Sequence, residues 1–215
     1  MQQETEEDYL NRFTSLSVLL DILHNQRLTL TNPIGKWEDK NDTYGIERYI
    51  AKQGTCKSVL ALCFSMKRET FHHWKVFSGG ADGVCIEFDR KRLLEQMKKC
   101  DGIRYGKVEY EFIPKPELSY PKGKWPVKTW PFLKRKAFED EGEFRIIHQS
   151  NKALEVKYIT IDRACIRKIN TSPWLHPELF KSVRKCIRAI PKCGRLKVFR
   201  STLLDNEEWK KRFGE

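Results

Sequence analysis

Glu141 and Glu143 stand two apart in the run Phe138-Glu139-Asp140-Glu141-Gly142-Glu143-Phe144-Arg145-Ile146-Ile147, where an acidic stretch leads into an apolar one. Side chains two apart on a strand share a face, so a strand that begins early enough aims both carboxylates the same way. Paired carboxylates suit a reaction centre that develops positive charge. The rest of the chain carries the opposite sign: 41 Lys and Arg against 29 Asp and Glu, a net charge of +12. Such an excess recruits polyanions, phosphate polymers among them. The expectation is an acidic reaction centre flanked by a basic surface.

One candidate for that surface lies just upstream. Residues 113–131 hold five prolines, which exclude regular structure, so the stretch reads as a long ordered loop or a flap. Around it cations alternate with rings, and Lys124, Trp125, Lys128, Trp130, Lys134 and Arg135 are the residues expected to bind single-stranded nucleic acid. Cations meet phosphates there and flat rings meet unstacked bases. A second phosphate footprint lies on the helix expected over 177–190. Leu179, Phe180, Val183, Ile187 and Ile190 form its apolar side, and Lys181, Arg184, Lys185 and Arg188 its basic side.

The elements that must hold these groups follow from the apolar pattern. Strands are expected at Tyr9–Thr14, Leu28–Leu30, Ser58–Ser65, Gly83–Phe88, Ile103–Phe112, Glu143–His148, Leu154–Ile161, Cys165–Ile169 and Leu196–Leu203. Helices are expected after a Ser15 or Ser17 cap, over Tyr44–Gln53, Glu69–Phe77, Arg90–Lys99 and Pro177–Ile190. Thr31–Asp42 reads as a loop, Leu133–Phe138 as a helical turn and Glu207–Arg212 as a frayed end. Strands outnumber helices and rarely alternate with them, which makes the class α+β. A chain of 215 residues, 40% of them hydrophobic, fits one domain spanning residues 1–215.

The acidic lead-in, residues 1–8, resembles neither a signal nor a transit peptide, and no apolar run is long enough to span a membrane. Seven scattered cysteines without a Cys-x-x-Cys pair point to buried thiols in a reducing compartment, the cytoplasm, and to no metal site. His72, His73 and His148 keep open a metal-independent ribonuclease. The basic, aromatic loop keeps open a non-catalytic nucleic-acid-binding module.

The unit Tyr9-Leu10-Asn11-Arg12-Phe13-Thr14-Ser15, with the helix and short strand after it, resembles the first motif of ADP-ribosyltransferases. Ser65 matches the second motif, although Phe64-Ser65-Met66 departs from the usual Ser-Thr-Ser, and Glu141-Gly142-Glu143 matches the Glu-x-Glu of the third. A closer resemblance is to a bacterial domain-of-unknown-function family. It rests on Leu62-Cys63-Phe64-Ser65, His73-Trp74-Lys75, Gly83-Val84-Cys85-Ile86-Glu87-Phe88 and Glu141-Gly142-Glu143-Phe144-Arg145.

Together these resemblances imply an ADP-ribosyltransferase-like α+β fold of two small, mainly antiparallel sheets flanked by helices. They imply NAD as substrate without a metal, and a toxin of phage-defence loci that modifies RNA, with an acidic antitoxin and a chaperone as partners. Glu143 then faces the ribose cation and Glu141 the acceptor. Arg12 and Thr14 hold the dinucleotide, Ser65 supports it, and Trp74, His72 or His73 stacks on its nicotinamide or adenine.

Overall fold

The computed structural model describes residues 8–112 and 125–214. Along the chain run β1 (Tyr9–Ser15), α1 (Leu16–Asn25), β2 (Arg27–Thr31), α2 (Lys40–Gln53), β3 (Ser58–Ser65), α3 (Phe71–Phe77), β4 (Gly83–Asp89) and α4 (Arg90–Met97). After these come β5 (Ile103–Lys107), β6 (Glu109–Glu111), β7 (Leu133–Arg135), β8 (Glu143–Ser150), β9 (Val156–Thr160), β10 (Ile166–Thr171), α5 (Pro177–Ala189), β11 (Lys197–Arg200) and α6 (Glu207–Lys210). The class is α+β, with mainly antiparallel sheets and helices beside them.

The chain divides into two compact units that interleave in sequence. The first comprises Met1–Arg27, Met66–Glu95 and Thr160–Glu215. Its strands run β11-β10-β4-β1, with β4 antiparallel to both β1 and β10. β11 lies parallel to β10, a pairing that needs a crossover, here α5. The pleat sends Leu10, Arg12 and Thr14 to one face of β1 and Asn11 and Phe13 to the other. Phe13 packs there with Trp74 and Cys85. Ser15 ends the strand and starts α1, because its hydroxyl accepts from the Val18 amide.

The second unit comprises Leu28–Ser65 and Gln96–Ile159. Its centre is the pair β3 and β8, antiparallel over eight residues from Ser58↔Ser150 to Ser65↔Glu143. β5 flanks β8, and β2 flanks β3. A separate parallel ribbon joins β6 to β7. On one face of the central pair, Ile46 and Tyr49 of α2 bury Val59, Ala61 and Ile147, with Trp37, Val127, Trp130 and Phe132 packed around them.

Four expectations change. α2 begins at Lys40, inside the stretch read as a loop, because Asp39 caps it by accepting from the Asn41 amide. The strand read over Ile103–Phe112 is broken at Val108, whose amide turns to the Glu143 carbonyl. Val127–Phe132 forms a 3-10 turn despite Pro131, and Leu133–Arg135 pairs as a strand instead of continuing as a helical turn. Among the described residues no helix is long and apolar enough to cross a membrane.

Candidate functional site

Asp42, Lys134, Glu141, Glu143 and Arg145 converge in the second unit, on the α2 side of β3 and β8. Glu143 opens β8, and Arg145 shares its face two residues on. The Arg145 guanidinium is fully buried and uses all five of its N–H donors. Nε and Nη2 donate to the two Glu143 oxygens at 2.8 Å each. Nη1 and Nη2 donate to Asp42 at 3.0 and 2.8 Å. Nη1 also reaches the Pro131 carbonyl at 2.7 Å. The Trp37 ring covers the guanidinium at 4.8 Å, a contact that suits a planar cation already stripped of water.

Lys134 supplies the second cation. Its ammonium donates to Glu141 at 2.5 Å and to Glu143 at 3.4 Å, and lies 3.9 Å from Asp42. Glu141 stands outside β8, at the end of a 3-10 turn over Lys136–Glu141, and Gly142 follows in the left-handed region at φ +53°. Strand periodicity therefore does not align the two carboxylates; the shared ammonium and the Gly142 turn do. Ser65, directly across from Glu143 on β3, donates its hydroxyl to the Glu141 carbonyl at 2.8 Å. Tyr110 accepts from the Glu143 amide at 2.8 Å.

Three carboxylates face two cations, so the cluster carries one negative charge in excess. Its carboxyls respond unequally. Burial alone would raise the Glu143 pKa, but the charge and hydrogen bonds of Arg145, with Lys134 and the Cys63 thiol, overcome it and hold it at about 2. Asp42 goes the other way, because burial outweighs Arg145. Glu141 is also raised, burial outweighing its bond to Lys134. The site thus keeps one carboxylate ionised beside another that takes a proton more readily, a division suited to acid–base work.

The remaining expected residues are placed as follows. Arg12 and Thr14 are half-buried on one face of β1 in the first unit. Trp74 and His73 belong to the opposite face: Trp74 is fully buried with its indole N–H on Glu69, and His73 is 1% exposed and stacked on Phe13. The core claims both rings, so neither presents a face on which a dinucleotide could stack. His72 is exposed and His148 buried, and the pKa of His148 is lowered by burial and by Lys157.

The expected nucleic-acid loop is reassigned in part. Trp130 packs against the α2 core and donates to the Trp125 carbonyl. Trp125 is half-buried and bonds Glu111. Lys134 is spent on the carboxylates. Lys128 and Arg135 are exposed, and Lys124 lies outside the described residues, as do 113–123 and most of the acidic lead-in. Among the described residues no cluster of His, Cys, Asp and Glu has the arrangement of a metal site.

Sequence reasoning missed Asp42. Its one local signal is the spacing Asp39-x-x-Asp42, a cap followed by an acidic first turn, which marks a helix start but says nothing of Arg145.

The family described as Protein of unknown function (DUF2971) matches residues 73–146, a span that contains Glu141, Glu143 and Arg145. Among curated proteins none matches the chain. Similar solved structures include Thermus sp. 2.9 DarT in complex with NAD+, 11% identical over 93% of this chain and 98% of that one, with a TM-score of 0.47. The same protein in complex with ADP-ribosylated ssDNA is 10% identical over 93% and 97%, with a TM-score of 0.46.

Proposed function

We propose that the chain is an NAD-dependent ADP-ribosyltransferase, one domain over residues 1–215, that transfers ADP-ribose to RNA in the cytoplasm. The observation that carries this reading is the division between Glu143 and Glu141, one held ionised and one raised, on a single ammonium. The glycosidic C–N bond of NAD breaks and its electron pair leaves with neutral nicotinamide. The ribose carbon gains positive charge, which the ionised Glu143 offsets in a site shielded from water. An RNA hydroxyl or exocyclic amine then attacks that carbon and passes its proton to Glu141. Ser65 fixes the backbone that carries Glu141, which makes it a positioning residue. The motif resemblance gives the NAD diphosphate to Arg12, whose planar fork suits it, with Thr14 beside it. The toxin role in anti-phage defence, with an antitoxin and a chaperone, rests on the family resemblance alone.

The test combines radiolabelled NAD, total RNA and the purified chain, beside Glu143→Gln and Glu141→Gln. Label enters RNA with the wild type, and Glu143→Gln lowers transfer by about 100- to 1000-fold. Glu141→Gln lowers transfer more than it lowers nicotinamide release. Label in protein alone keeps the enzyme and replaces the acceptor. A folded wild type that neither releases nicotinamide nor transfers label overturns the reading.

One observation favours a second reading, a non-catalytic nucleic-acid-binding module. Saturation of every Arg145 donor is what a purely structural ion-pair network requires. That reading predicts that a folded Glu143→Gln variant keeps its biological effect.

A further inference from the structure

We infer that the outward face of α5 and the turn after it form the docking surface for the acceptor strand, a phosphodiester polyanion; the inference rests on the nucleic-acid reading above. Three observations lead there. The first is that two of the residues expected to bind the strand, Trp130 and Lys134, are committed to the core and to the carboxylates.

The second is charge. From Leu179 to Leu204 the sequence holds eight Lys and Arg and no Asp or Glu. Lys181 is answered by Glu178 at 2.6 Å. Among the described residues, Lys185, Arg188, Lys192 and Arg195 have no ion-pair partner, and all four are exposed. Burial of Ile187 and Ile190 turns the helix so that its basic stripe, at spacings of three and four, faces water.

The third is rigidity. The turn that carries Lys192 and Arg195 is pinned by buried Cys193 and Leu196, whose amides donate to the carbonyls of Ile190 and Cys193, both at 2.9 Å. Cations on a fixed frame lose less freedom on binding than cations on a loose loop.

The experiment measures affinity of the full chain for a labelled single-stranded RNA oligonucleotide, and for the matching DNA, across a salt series. The variant Lys185→Glu/Arg188→Glu/Lys192→Glu is compared with Lys152→Glu/Lys157→Glu, exposed lysines of the second unit. The α5 variant is expected to bind about tenfold or more weakly at low salt, and its log–log salt slope is expected to fall by about 2, at ~0.7 per lost phosphate contact. The control keeps most of the wild-type affinity. Equal loss on RNA and DNA assigns the shared phosphodiester backbone, and loss on RNA alone assigns a strand recognised through its 2′-hydroxyls; both support the inference. Equal loss in both variants, or in neither, overturns it. So does retained RNA binding by an α5 variant that no longer binds poly-glutamate, which gives the face to an acidic protein. No NAD is present, so binding holds or fails independently of ADP-ribose transfer.

Discussion

The two charged regions of this chain obey opposite rules. Around Arg145 the charges are buried or nearly so, and answered: five donors meet five acceptors, and Lys134 bridges what remains. On α5 and the turn after it, Lys185, Arg188, Lys192 and Arg195 are exposed and go unanswered among the described residues. Burial explains the first rule, because an isolated ion taken from water costs far more than a hydrogen-bonded pair. Solvent permits the second, because water screens like charges on a helix face. The difference separates two kinds of work. A reciprocated buried cluster fixes atoms and divides pKa values, whereas an unreciprocated surface keeps its charge available for a ligand.

Breaking the buried region has the largest expected effect. Arg145→Met strips Asp42 and Glu143 of their buried guanidinium and leaves them only the more distant Lys134 ammonium, and destabilisation of about 3–5 kcal/mol follows. Chemical denaturation checks it. Arg145→Lys recovers little, because an ammonium cannot serve Glu143, Asp42 and the Pro131 carbonyl in one plane.

The same region carries a pH signature. The Glu143 pKa falls from an ordinary 4.5 to about 2 on folding. A carboxyl lowered in the folded state stabilises above its unfolded pKa, and that stability is lost as pH falls through 4.5 toward 2. Asp42 and Glu141, whose pKa values are raised by burial, act in the opposite sense, and the cost of keeping them ionised is relieved as acidification protonates them. Stability is therefore expected to hold or rise slightly on first acidification and then to fall. Denaturation midpoints measured across this range should show the fall in the wild type and a much smaller one in Glu143→Gln. Equal acid loss in the two proteins assigns the fall to other carboxyls.

Much of this was legible in the sequence, and what was not shares a physical cause. The apolar runs of β3 and β8 and the Ser15 cap of α1 depend on neighbours in sequence, and they stand where expected. Glu143 and Glu141 were visible as a pair, whereas Lys134 read as a nucleic-acid contact because composition does not show that its ammonium turns to the carboxylates. Asp42 was hidden because the partner that justifies its burial is 103 residues away. Trp130 read as a base-stacking ring because composition shows an aromatic among cations but not the helix that later covers it. Leu133–Arg135 became a strand through β6, a pairing that no local pattern announces. Trp130→Ala tests that correction: a loss of about 2 kcal/mol, below the fully buried range because the residue is only partly buried, marks a core residue. Unchanged stability with weakened oligonucleotide binding returns it to the nucleic-acid surface.

The smallest predicted effect sharpens the contrast most. Single replacements Lys185→Ala, Arg188→Ala and Lys192→Ala remove no ion pair and no buried contact, so each should change stability by less than about 0.5 kcal/mol. Arg184→Ala is the internal comparison. Its guanidinium lies 5.2 Å from the Phe180 ring, and its stem is half-buried, so it should cost more than its neighbours. Thermal melts at low and high salt separate the cases. If repulsion along α5 already strains the fold, removing a cation raises the melting temperature at low salt, and the gain disappears when salt screens the stripe. A surface kept basic at a cost to stability is maintained for a ligand. A stripe whose removal changes neither stability nor oligonucleotide affinity is only a solvated helix face.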